Sequence, residues 1–334
     1  MENRSVNVAV IGDGSWATAI VKILSEDKQH KINWWVRQKE SVQSIKAIGV
    51  NPNYLTGVQI DKRKVKPNED IIKVVEGVDY VILVVPAAYI KSALDQLPEN
   101  AFDGKIVISA IKGIIPEDDI LVTEYIKFKF GVSDNKMAII SGPCHAEEVA
   151  LGRQSYLTIG ANDLSVGEGV ADILRCRYVN VSCMRDLIGI EYSAIMKNII
   201  ALACGIANGQ NFGDNFQAVL VSNAMQEIKY FLDTLYPAKR DVNASAYLGD
   251  LLVTAYSQFS RNRTFGNMIG RGYSVKSAMF EMKMVAEGYY AANSVYKIIH
   301  EKQLNMPICT AVYRILYDKI SPAIEMQLLK DLLK

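Results

Sequence analysis

The 334-residue sequence predicts an α/β, doubly wound N-terminal domain followed by an all-α C-terminal domain. Short apolar runs alternate with helical patterns up to about Asp186, and beyond it only helical patterns remain. The first apolar run passes straight into a glycine turn and an amphipathic stretch. The length also exceeds what one ordinary core holds. We place the domains at residues 1–187 and 188–334.

Val6–Ile11 is a β-branched apolar run that reads as the first strand. Gly12-Asp13-Gly14-Ser15-Trp16-Ala17 follows at once, then the helical stretch Thr18–Glu26. Strand, G-x-G-x-x-A and helix in that order form the Rossmann-like dinucleotide fingerprint. Gly12 allows the tight turn, Gly14 lets a pyrophosphate approach the backbone, and Ala17 lets the helix pack on the strand. The helix N-terminus then attracts the phosphates. A second strand, Lys31–Val36, ends at Arg37, where an NAD site carries a carboxylate and an NADP site an arginine. Arg37, with Lys39 nearby, therefore favours NADP(H), with NAD(H) still usable; its plain alternative is a solvated loop residue.

Leu55–Pro67 is basic and turn-rich and carries no readable chemistry. Asp79–Val85 and Lys105–Ala110 read as internal parallel strands, the first ending at Pro86 and the second at Ile111-Lys112-Gly113. Ligands in open α/β sheets bind beyond the carboxyl ends of the strands, which makes Pro86 and Lys112 candidates for ligand contact. Met137–Ile140 is a further strand leading into Ser141-Gly142-Pro143-Cys144-His145-Ala146 and a short helix, Glu147–Leu151. Neighbouring Cys144 and His145 rarely point at each other on a turn, so thiol catalysis is disfavoured. His30 and His300 read as surface residues. Tyr156–Ala161 and Tyr178–Cys183 are the last two strands.

Helical patterns then cover Ile188–Ala207, Ala218–Leu235, Val275–Glu281, Val285–Lys302 and Ala311–Tyr317. The first is apolar nearly all round, which predicts a buried helix, yet Lys197 and Asn198 stand in its middle. A lysine there either snorkels to the surface or is held by a partner, because burying an unpaired ammonium costs several kcal/mol. Asp250 is a carboxylate set among apolar residues, and Ser260-Arg261-Asn262-Arg263 is a dense polar cluster. Such a cluster can cap a helix, or its planar arginine fork can grip a phosphorylated ligand.

Composition narrows the classes further. Half the residues are hydrophobic and 22% are charged, with 37 basic against 36 acidic, so no global field points to nucleic acid or an anionic membrane. Five cysteines without a C-x-x-C pair predict reduced thiols and no metal framework. No leader is expected from the polar start, and no apolar run approaches the ~20 residues of a membrane span, so a cytoplasmic location is expected.

The blocks GDGSWATA (12–19), IKG (111–113), SGPCHAEEVA (141–150), MKNIIALACGIANGQNFGDN (196–215), GDLLVT (249–254), SRNRTFG (260–266), VAEG (285–288) and MPICTAVYRILY (306–317) occur in this order. Together they resemble the NAD(P)-dependent glycerol-3-phosphate dehydrogenases of bacterial type, across about residues 6–322. The resemblance implies interconversion of dihydroxyacetone phosphate and sn-glycerol 3-phosphate, feeding phospholipid synthesis, and a homodimer. It places Lys197 at the catalytic lysine, with Lys112 and Asp250 beside it in the chemistry. Lys112, Gly142, Cys144, Lys197, Asp250, Ser260, Arg261 and Asn262 fall at substrate contacts. Ser15, Trp16, Arg37, Lys112, Ala146, Arg261, Val285 and Glu287 fall at cofactor contacts. Cys144 stands where the family carries a hydroxyl residue, His145 where it carries an aromatic one, Ala17 replaces Gly, and Ala286 breaks the usual V-V-E-G. Two other readings stand beside this one: a related β-hydroxyacid or ketopantoate-type dehydrogenase with a carboxylate substrate, and a non-catalytic NADP-binding regulator.

Overall fold

A computed structural model describes residues 5–26, 30–282 and 286–334. The chain forms two compact units, one made of residues up to Ile111 together with Leu121–Leu187, the other of Lys112–Ile120 together with Ile188–Lys334. The excursion Lys112–Ile120 thus belongs with the helices, although in sequence it sits among the strands. It forms neither helix nor ladder with the sheet, closing on itself through Ile115 N–H to Ile120 O at 3.0 Å.

The first unit is built on one eight-stranded sheet, β1 (Asn7–Ile11), β2 (Lys31–Trp35), β3 (Val65–Asn68), β4 (Tyr80–Leu83), β5 (Ile106–Ser109), β6 (Met137–Ser141), β7 (Ser155–Ala161) and β8 (Val179–Met184), in the order β3-β2-β1-β4-β5-β6-β7-β8. All neighbours are parallel except β6 and β7, which run antiparallel. The order reverses direction at β1–β4, the topological switch point where such sheets bind ligands. The edge strand β3 begins within the end of the basic stretch Leu55–Pro67 that the sequence leaves as a turn. It is short and contains Pro67, which an edge tolerates because a donor is dispensable there. His30 is buried rather than on the surface, because it leads directly into β2.

Among the described residues, seven α-helices accompany the sheet: α1 (Ser15–Ser25), α2 (Lys39–Ile48), α3 (Ile71–Val75), α4 (Ile90–Leu94), α5 (Val122–Phe130), α6 (Ala146–Ala150) and α7 (Leu164–Leu174). Helix α1 buries Ala17, Ile20, Val21 and Leu24, spaced three, one and three residues apart on one face. Asp70 caps α3 by accepting from Ile72 and Lys73 N–H, and Asp163 caps α7 by accepting from Ser165 N–H.

The second unit holds α8 (Leu187–Gly209), α9 (Asp214–Leu235), α10 (Asp250–Tyr256), α11 (Arg261–Gly270), α12 (Val275–Glu281), α13 (Glu287–Glu301), α14 (Pro307–Leu316) and α15 (Pro322–Lys330). Helix α8 is long and apolar enough to cross a membrane, longer than the sequence's apolar runs suggest; 94% of that stretch is buried inside the protein. It packs on α11 through a glycine seam. A Cβ on Gly205 would meet Arg263 O and, at 2.8 Å, Asn267 N; one on Gly266 would meet Leu202 O and, at 3.0 Å, Leu202 Cα. Helix α14 begins a turn earlier than its apolar pattern, with Pro307 in the first turn. Buried Glu227 of α9 accepts from Ile308 N–H and Cys309 N–H at 2.6 and 3.2 Å, satisfying the donors a helix start leaves open.

Candidate active site

In the second unit, α8 presents Lys197 from a segment whose neighbours Ile195, Met196, Ile199 and Ile200 have no solvent exposure. Lys197 itself is 5% exposed, so it does not snorkel. Its Nζ donates to Asp250 Oδ1, and Lys112 Nζ donates to the other oxygen, Oδ2, at 3.3 Å. One carboxylate, 1% exposed, therefore holds two ammoniums. Asp250 starts α10 directly after a π-helical turn, Ser245–Gly249, a local widening found at functional sites. Thr254 Oγ1 donates to Asp250 O at 2.7 Å and closes the first turn. Asn198 Nδ2 donates to Lys112 O at 2.7 Å, so consecutive residues of α8 reach Asp250 and the Lys112 main chain.

The charges set one another. Burial pushes Lys197 down from the ordinary lysine value to about 7; Asp250 opposes this and the Lys112 ammonium reinforces it. Burial by itself would raise Asp250, but the Lys112 and Lys197 ammoniums outweigh it and hold the carboxyl below its usual range. Two buried charges and the partly buried Lys112 ammonium, with both lysines protonated, sum to one positive unit and form a site prepared for negative charge.

The Ser260–Asn262 cluster lies at the start of α11, and part of it does cap a helix. Ser260 Oγ accepts from Arg263 N–H at 3.3 Å. Asn262 Oδ1 accepts from Gly288 N–H at 3.0 Å, tying α11 to the first turn of α13, where Glu287 stands. A Cβ on Gly288 would fall 2.6 Å from Asn198 O and 2.9 Å from Asn262 Oδ1, so α8, α11 and α13 meet at a residue that must be glycine. Arg261 occupies the exposed first position of α11, a helix with no acidic residue in its first turn. Arginine at a helix N-terminus suits a phosphate. Val285, placed by sequence among the cofactor contacts, lies outside the described residues.

The first unit carries the glycine turn. Gly12 has φ +132°, and a Cβ there would meet Val84 O at 2.6 Å, so the turn passes against the chain leaving β4 toward Pro86. Trp34 Nε1 donates to Gly12 O at 2.7 Å, Asn51 Nδ2 donates to Asp13 O at 2.9 Å, and Arg37 N–H donates to Asp13 Oδ2 at 3.2 Å. These bonds bring the end of β2 and its exposed Arg37 to the turn. Gly14 has open space where a Cβ would lie and caps α1 without a side-chain bond; Ala17 is buried. The buried Trp16 Nε1 has no hydrogen-bond partner among the described residues. Open backbone at a helix start, without an acidic residue in the first turn, fits a dinucleotide pyrophosphate.

Gly142, Cys144 and Ala146 also belong to the first unit. Gly142 has φ +112°, and a Cβ would lie 2.7 Å from Tyr156 O. Cys144 Sγ donates to Tyr156 O at 3.2 Å, an engagement unlike that of a thiol paired with a base. Ala146 opens α6, which packs on α1.

Comparison with known proteins decides the family. Residues 7–166 match the NAD-dependent glycerol-3-phosphate dehydrogenase N-terminus and residues 186–327 its C-terminus. The chain belongs to the NAD-dependent glycerol-3-phosphate dehydrogenase family. It is 32% identical to the glycerol-3-phosphate dehydrogenase [NAD(P)+] of Staphylococcus carnosus over 314 residues, covering 94% of each chain. It is 33% identical to that of Clostridium botulinum over 315 residues, again 94% of each. The crystal structure of glycerol-3-phosphate dehydrogenase from Coxiella burnetii superposes with a TM-score of 0.90 at 28% identity, covering 97% of this chain and 98% of that one. A glycerol-3-phosphate dehydrogenase family assignment over both halves does not favour the carboxylate-substrate or regulatory readings, and makes the bound cofactor a nicotinamide one. One contributor escapes sequence reasoning: Asn51 braces the Gly12–Gly14 turn from an Asn-Pro-Asn stretch that reads as a plain loop.

Proposed function

We propose that this protein interconverts dihydroxyacetone phosphate and sn-glycerol 3-phosphate, with Lys197 as proton donor and acceptor. The cluster of buried Lys197 and Asp250 with the partly buried Lys112 carries the reading. Reducing a ketone places a hydride on carbon and a proton on oxygen. The nicotinamide supplies the hydride. The Lys197 ammonium polarises the carbonyl oxygen and gives it a proton, while Asp250 holds that ammonium in place. Lys112 adds a second positive charge to stabilise the developing alkoxide. Arg261 at the start of α11 takes the substrate phosphate. An assay of NADPH oxidation tests the reading: turnover with dihydroxyacetone phosphate is expected. Turnover with ketopantoate or other ketoacids instead, or with no substrate, would overturn it.

The lysine's lowered value fixes the pH response. Its ammonium is the proton donor for reduction and is lost as pH rises through about 7. The reduction rate should therefore fall above about pH 7, while alcohol oxidation, which needs the neutral amine, rises across the same window. Initial rates in both directions from pH 5.5 to 9 check this; parallel profiles in the two directions would remove Lys197 from the proton transfer.

We further propose NADP(H) as the preferred cofactor, with NAD(H) usable, because Arg37 stands at the end of β2 where a ribose 2′-phosphate would lie. A charge-assisted hydrogen bond to that phosphate is worth about 1.5–3 kcal/mol. Arg37→Glu should raise KM for NADPH about tenfold or more and leave KM for NADH within about threefold. Equal changes for both cofactors would place the 2′-phosphate elsewhere.

A further inference from the structure

Lys112 owes its place at Asp250 to an excursion that the sheet does not support. The chain leaves β5, crosses into the helical unit at Lys112, and returns at Leu121 to enter α5. Within the excursion, Asp119 N–H donates to Ile115 O at 2.8 Å, and Asp119 adopts φ +56°, the left-handed region that aspartate enters more readily than most residues. At its near end Asn198 holds Lys112 O. At its far end Lys297 Nζ of α13 donates to Asp119 Oδ2 at 2.6 Å. Helix α13 is itself fixed to α11 through Gly288 and Asn262.

We propose that the Asp119–Lys297 pair is a clasp that positions Lys112 against Asp250. The proposal rests on the catalytic reading of Lys197 and adds a pair distant from it in sequence. A flexible lysine contacting a carboxylate at 3.3 Å is a weak constraint on the loop that carries it. Asn198 and the buried side chains of Ile114 and Ile115 hold the near half of the excursion, which leaves its far end to be fixed separately. The clasp supplies a second point at the opposite end and on a rigid helix. Lys297 is 53% exposed and Asp119 26%, and ion pairs this open add little to stability. The expected consequence is therefore misplacement of Lys112, with the fold intact. The charged groups facing Lys197 are Asp250 from α10 and Lys112 from the excursion, and Lys112 lowers the Lys197 value. Withdrawing Lys112 lets that value rise toward the ordinary lysine range.

The test uses Asp119→Lys, Lys297→Asp and the double exchange in the full chain. Each single exchange should lower kcat for reduction about three- to tenfold and move the pH limb near 7 upward, with Tm within about 2 °C of the parent. Amide hydrogen exchange over 112–120 should quicken in both. The double exchange should return rate, limb and exchange to parental values. Unchanged kcat and pH limb in the single exchanges, or a double exchange that restores neither, would overturn the clasp. Competitive acylation of Lys197 across pH, followed by mass spectrometry, reads the same limb without turnover. A parent inactive on dihydroxyacetone phosphate thus defeats the functional reading alone, and the labelling and exchange data still decide the clasp.

Discussion

Lys197→Ala should bind NADPH with unchanged affinity and lose turnover by about 10³-fold or more, combining general-acid and electrostatic contributions. Its fold should survive, for a reason visible in the charge arrangement. Removing one member of a buried ion pair ordinarily costs about 3–5 kcal/mol, because the other charge is stranded. Here Asp250 keeps the Lys112 ammonium on its second oxygen, so its charge stays compensated. Lys197→Met, which fills the same volume without the amine, separates lost chemistry from lost packing and should be equally inactive. Titrating NADPH fluorescence and measuring single-turnover rates on both variants checks the two halves separately. A kcat within threefold of the parent would end the proton-donor role, and weakened NADPH binding would show that the substitution acts through structure.

How much of this was legible beforehand depends on whether a residue's role is local. The Gly12–Ala17 turn could be read because strand, glycines and helix are consecutive, and the structure places Gly12 at a positive φ. Lys197 could be suspected because an ammonium amid apolar residues demands a partner, but the partner lies at Asp250, and no spacing rule links the two. Helices α10, α11 and α15 were not legible. Helix α11 shows why: Gly266 and Gly270 lower its propensity, and its exposed side carries polar residues. The edge strand β3 hid behind lysines and Pro67, features that protect an edge and look like a loop. The excursion Lys112–Ile120 was misplaced because membership of a unit is decided by contacts, which follow chain order only on average.

The glycines that obscure α11 are also its strongest structural commitment. Gly205 and Gly209 on α8 face Gly266 and Gly270 on α11, two pairs each spaced by one helical turn. A Cβ on Gly209 would sit 2.5 Å from Asn267 O, and one on Gly270 would meet Ile206 O and, at 3.0 Å, Gly209 Cα. These neighbours are main-chain atoms of packed helices, so no rotamer change relieves the clash. Ordinary overpacking costs about 1–3 kcal/mol because side chains yield; where only backbones can move, the cost should reach about 4 kcal/mol or more. Gly266→Val should then lower Tm by about 8 °C or more or leave the protein insoluble, and Gly266→Ala should fall between it and the parent. Gly57→Ala, where nothing lies within 4 Å of the added carbon, serves as the control and should change little. On the proposed roles the seam also bears on chemistry, because α8 carries Lys197 and α11 carries Arg261. Forcing the helices apart would separate the proposed proton donor from the proposed phosphate anchor. Folded Gly266→Ala protein should therefore show a raised KM for dihydroxyacetone phosphate with KM for NADPH unchanged. A stable Gly266→Val protein with parental kinetics would mean the two helices tolerate a wider separation than this backbone contact permits.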